Sequence, residues 1–169
     1  MQGLPRSNSH RQPRGEHRRV LPRREIVRAP APARLGFYAV MPPILLLHSF
    51  RHLGLMFLAP GVPHPGIPAQ FAYPAALGDL LAAFLAFAAL VAVIQRHRTA
   101  RGLVWAFNLE GTLDLMTAIV LSTLFGAPPY MGVAYWIPAF WVPALLVTHY
   151  ITFLVLRGDV EMTAGRASP

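Results

Sequence analysis

The chain has no cysteine, no lysine and little charge of either sign: 13% of its 169 residues are charged, against roughly a quarter in soluble proteins. The absence of cysteine excludes a disulfide framework, a thiolate metal site and a thiol nucleophile. Seven acidic residues face fifteen basic ones, all arginine, for a formal charge of +8. Arginine in place of lysine, together with abundant Ala, Pro and Gly, points to a GC-rich bacterial genome. A Walker loop, a nucleophile elbow and a dinucleotide fingerprint are also missing, and GTLDL (111–115) has too few glycines to cradle a phosphate. No motif therefore supports soluble-type enzyme chemistry, and no catalytic residue is assigned.

What the chain does have is apolar length. Fully 54% of its residues are apolar. Four stretches, 35–59, 69–95, 103–126 and 132–156, are long enough for the roughly 20 helical residues that cross a 30 Å hydrocarbon core. Runs such as LLAAFLAFAALVAVI (80–94) show no alternation of period two, which excludes a transmembrane β-barrel. The expected fold is all-α, a four-helix transmembrane bundle at 35–157. Residues 1–34, with nine arginines, five prolines and no apolar periodicity, are expected to be a disordered cytoplasmic tail, and 158–169 a short cytoplasmic one. Met41 is an alternative start, and no cleavable secretory signal stands before the first span.

The connections fix an orientation. PGVPHPGIP (60–68) and GAPPYMG (126–132) carry no formal charge, whereas QRHRTARG (95–102) carries Arg96, Arg98 and Arg101. Cytoplasmic loops are the arginine-rich ones. Four crossings put that loop, the basic tail and Arg157 on one side, so both termini are expected inside, in a bacterial cytoplasmic membrane. Aromatic residues open each later span: Phe71 and Tyr73, Trp105 and Phe107, Tyr135 and Trp136. They suit either headgroup anchoring or packing between helices. Pro42 and Pro43 suggest that regular helix in the first span begins there, and Pro138 and Pro143 predict a kink or an opened turn in the fourth. The partners implied are the bilayer and a second copy or a membrane complex. Nucleic acid is not among them, because most of the basic residues flank spans.

Ionisable side chains inside a span cost about 2.5–3.5 kcal/mol each near its centre, so they face the bundle interior and find partners. Here they are His48, Arg51 and His52 in the first span, Asp79 in the second, Glu110 and Asp114 in the third, and His149 in the fourth. Helical spacing puts each set on one face. Counted from the outer ends at 1.5 Å per residue, Arg51 and Asp79 lie about 12 and 15 Å deep, and an ion pair between them is expected. His48 and Asp114 both fall roughly 16 Å deep and Glu110 and His149 roughly 22–24 Å, which predicts two carboxylate–histidine pairs. Asn108, Thr112, Thr117, Thr148 and Tyr150 are candidates to complete the hydrogen bonding.

Three functions follow from such a network. It can be structural, holding together an accessory membrane bundle. It can be a proton path for a small transporter, since histidine titrates near neutral pH. Or His48, His52 and His149 can ligate haem or a metal in an oxidoreductase subunit. No cofactor is expected from a motif, because H-E-x-x-H and E-x-x-H are absent and Arg51 lies between the first two histidines.

The segments LLLHSFRHLGLMFLAPG (45–61), FNLEGTLDL (107–115) and YWIPAFWVPALLVTHYITF (135–153) resemble those of bacterial four-span membrane proteins of unassigned activity. The resemblance covers 41–157 and implies architecture alone. In size and span count the chain is also similar to DoxX-like proteins, without a shared motif.

Overall fold

Four helical spans, Phe37–Leu58, Ala69–Ile94, Ala100–Leu124 and Gly132–Gly158, are each long and apolar enough to cross a membrane. The computed structural model describes residues 36–164, with side-chain surroundings through 158. The 1–34 tail and its expected disorder lie outside the described residues. Among the described residues every regular element is a helix. Helix α1 (Phe37–Ser49) runs on into a 3-10 segment, Phe50–Leu58. Helices α2 (Ala69–Ile94) and α3 (Ala100–Leu124) follow. The fourth span opens with short 3-10 turns and a π segment, Ile137–Trp141, before α4 (Val142–Ala164).

Proline placement explains two departures from regular helix. The first span starts at Phe37 and not at Pro42, so both prolines lie inside α1. Their missing N–H groups would have bonded Tyr38 and Ala39, in a first turn that Gly36 O secures by accepting from the N–H groups of Ala39 and Val40 at 2.8 and 3.2 Å. In the fourth span, Pro138 cannot bond back to Ala134, and the chain passes this point as a π turn, the opened helix that its prolines predict. Helix α4 then continues past residue 156 to Ala164, since no proline or left-handed glycine interrupts it.

The spans form a ring, α1 against α2, α2 against α3, α3 against α4 and α4 against α1. Small residues face inward on α2: Ala72, Ala75, Ala76, Ala82, Ala83, Ala86 and Ala89 repeat at three and four residues and are buried. Along its middle, large side chains point the other way, with Leu81 51%, Phe84 66% and Phe87 58% exposed. Small residues inside and large apolar ones outside is the pattern of helices packed in lipid, where close backbone approach drives association. Of the span-opening aromatics, Phe71 and Phe107 are buried in the bundle, while Tyr73, Tyr135 and Trp136 are exposed at the ends.

Two apolar clusters fill the bundle. One, at the arginine-loop end, joins Met41, Leu45, Ala86, Val93, Val104, Phe107 and Leu156. The other, at the opposite end, joins Phe57, Phe71, Ala75, Met131 and Ile137. Between them lies a polar layer.

Candidate functional site

Arg51 is the centre of that layer and is fully buried. Its position follows from the 3-10 winding of Phe50–Leu58. With 3.0 residues per turn, residues three apart eclipse one another. Arg51, Gly54 and Phe57 therefore align, and these are the three buried residues of the segment, which packs along α2. Gly54 keeps that line thin, because a Cβ there would collide with the Asp79 carboxylate.

The guanidinium fork reaches every other span. Arg51 Nε donates to Asp79 Oδ1 at 2.7 Å on α2. Arg51 Nη2 donates to Asp114 Oδ2 on α3. Nη1 donates to the carbonyl of Gly111 on α3 at 3.2 Å and lies 3.4 Å from His149 Nε2 on α4. Arginine suits this position since it remains charged and offers five N–H donors in a rigid plane. Gly111 and Gly78 make the approach feasible: a Cβ at Gly111 would sit 2.7 Å from both Arg51 Nη1 and the His149 ring, and one at Gly78 would strike Asp114.

The histidines form a second tier toward the arginine-loop end. His149 Nε2 accepts from Arg51, so its Nδ1 carries the proton and donates to Asn108 Oδ1 at 2.8 Å. His48 Nε2 donates to Thr148 Oγ1 at 2.7 Å, and Thr148 in turn donates to Leu145 O at 2.8 Å. The two imidazoles lie 4.4 Å apart, with Phe107 4.9 Å from His48 and 5.1 Å from His149. This three-ring cluster joins the polar layer to the apolar cluster below it.

Several expectations are corrected. The Arg51–Asp79 contact is present, but the His48–Asp114 and Glu110–His149 pairs are not. Arg51 engages both Asp114 and His149, His48 engages Thr148, and Glu110 is half-buried with Oε2 unpartnered. The error lies in depth. A 3-10 segment rises about 2.0 Å per residue, so Arg51, eight residues from Ala59, lies roughly 16 Å down, level with Asp79 and Asp114. The same stretch lowers His48 to the level of His149. His52 is exposed, not part of the buried network, because its i, i+4 relation to His48 holds only on an α-helix. Its Nδ1 lies 2.9 Å from Ser49 O. Of the three candidate metal or haem ligands, His48 and His149 come together and His52 stands apart, and among the described residues no three His, Asp or Glu side chains are grouped to hold a metal. Of the smaller polar candidates, Asn108 and Thr148 enter the network and Thr112 donates to Asn108 O at 2.6 Å, while Thr117 and Tyr150 are exposed.

Sequence reasoning missed the glycines. Each intramembrane charge of the Arg51 layer has one within a turn: Gly54 beside Arg51, Gly78 beside Asp79, Gly111 beside Asp114. That co-occurrence was a readable signal, since a charged side chain between helices needs space opposite it.

A family model described as Domain of unknown function (DUF8737) matches residues 27–157. No curated protein and no solved structure matches the chain.

Proposed function

The chain belongs to the DUF8737 family, and from that premise we propose that this multi-pass membrane protein is an accessory or scaffolding bundle whose Arg51 layer is its structural brace. One observation carries the reading: a single buried side chain touches α2, α3 and α4 at once. In lipid, helices have no hydrophobic drive to associate, so a polar contact of this kind chooses which helix meets which. An ion pair broken on one side leaves an uncompensated buried charge, which costs about 3–5 kcal/mol. Arg51→Leu is therefore expected to separate the spans, seen as premature unfolding of detergent-purified protein and loss of helix–helix crosslinks. An unchanged unfolding midpoint would refute the brace.

The charge pattern supports an orientation with both termini on the cytoplasmic side. Arg96, Arg98 and Arg101 lie at the end of the bundle where Leu156 O accepts from Arg101 at 3.4 Å, and the opposite loops carry no formal charge.

A second reading, proton-linked transport, is favoured by the surplus of carboxylates. Asp79 and Asp114 share one arginine, and Glu110, one turn from Asp114, has an unpartnered oxygen. Protein reconstituted in liposomes is then expected to show pH-driven flux that Asp114→Asn abolishes. Absence of flux in the unmodified protein leaves the brace as the account of the layer.

A further inference from the structure

A cavity of about 220 Å³ opens between α2, α3 and the π segment of the fourth span, on the side of the polar layer away from the arginine loop. Phe57, Phe71, Leu115 and Ile137 line its apolar walls, and Asp79 lines its polar floor. The cavity exists because Pro138 carries the fourth span through a π turn here, and because α2 presents only Ala75 between Phe71 and Asp79. Ser122 and Thr123 are also on the lining. Thr123 Oγ1 donates to Ile119 O at 2.9 Å, which leaves its lone pairs free to accept. Ile119 and Thr123 are exposed, so the rim reaches the lipid-facing side of α3.

Charge decides what fits. Asp79 is buried, with its Oδ1 taken by Arg51 Nε. Arg51 offers one positive charge to two carboxylates, Asp79 and Asp114, so with both ionised the layer carries one uncompensated negative charge. Such a charge is costly at this depth unless a proton or a cation neutralises it, and the cavity beside Asp79 gives a cation room to do so. A glycine packs against each carboxylate, Gly54 against Asp79 and Gly78 against Asp114, and of the two it is Asp79 that lines the cavity. Volume limits the size of the visitor: 220 Å³ is below the roughly 300–1,000 Å³ of clefts for drug-sized ligands and holds about seven water volumes of ~30 Å³.

We propose that this cavity binds a small lipophilic ammonium, a monocation of on the order of seven heavy atoms. Its ammonium group donates to the Asp79 carboxylate, and its hydrocarbon body lies against Phe57, Phe71, Leu115 and Ile137 toward the Ser122–Thr123 rim. The ligand completes the charge balance of the layer and enters from the bilayer.

The test uses the full chain purified in mild detergent and three probes: n-hexylammonium, 1-hexanol and sodium ion. Calorimetric titration and thermal shift should show saturable binding of n-hexylammonium, at least tenfold tighter than 1-hexanol and insensitive to replacing sodium with a bulky cation. Ala118→Leu fills the cavity from α3 without touching the charged layer and should weaken n-hexylammonium at least tenfold while leaving the fold intact. Asp79→Asn, if it folds, should remove the preference for ammonium over alcohol. Equal binding of hexanol would mean an apolar void only. Stabilisation by sodium alone, no saturable binding, or full binding in Ala118→Leu would each overturn the proposal.

Discussion

The two halves of the bundle, divided by the Arg51 layer, are built differently. On the arginine-loop side, α1, α2, α3 and α4 are regular helices, the connection 95–99 is short, and alanines on α2 let the backbones close on Phe107 and Leu156. On the other side the chain runs through 3-10 and π turns, left-handed Gly61, Gly126 and Gly132, and two proline-rich loops. There it leaves the 220 Å³ cavity and a groove of about 690 Å³ under the 60–68 loop. An alanine stripe closes helices along their length, while prolines force turns that cannot pack as densely. The polar layer sits where one regime gives way to the other, and the brace holds the loose half to the tight half.

Several substitutions can break or sharpen this contrast. The largest effect belongs to the seam: Arg51→Leu should destabilise by about 3–5 kcal/mol, read from unfolding in detergent, because Asp79 and Asp114 lose their counter-charge. A smaller effect is expected on the tight side, where Ala86→Leu inserts three heavy atoms into a filled cluster and should cost roughly 1–3 kcal/mol. The same change on the loose side, Ala118→Leu, should change the unfolding free energy by less than about 0.5 kcal/mol, since it grows into an existing cavity. Comparable losses at Ala86 and Ala118 would erase the distinction between the halves. Smallest of all is His52→Ala, an exposed site outside the network, expected to stay within about ±0.5 kcal/mol.

Much of the architecture was legible because it depends on length and on placement of charge. Four apolar runs, the uncharged and arginine-rich connections and the intramembrane position of Arg51 and Asp79 are all properties of the linear chain. The partners of Asp114, His48 and His149 were not legible. They depend on rise per residue, and nothing in FRHLGLMFL (50–58) announces nine residues of 3-10 winding where runs of three or four are usual. Once that winding is known, one correction of a few ångströms moves Arg51 to the level of Asp114, moves His48 to the level of His149, and turns His52 outward. The glycine at 111 shows the other gap. Its role is to leave the space that Arg51 and His149 occupy, which has no periodicity of its own and shows in the sequence only as a glycine within a turn of a charge.

The most direct test of the brace is a double-mutant cycle on Arg51→Leu and Asp79→Leu, measured as unfolding free energy in detergent. The account predicts that Asp79→Leu partly rescues Arg51→Leu, with a coupling of about 1 kcal/mol or more, because Arg51→Leu strands both Asp79 and Asp114 and the second change removes one of these two carboxylates. Strict additivity of the two losses would contradict it.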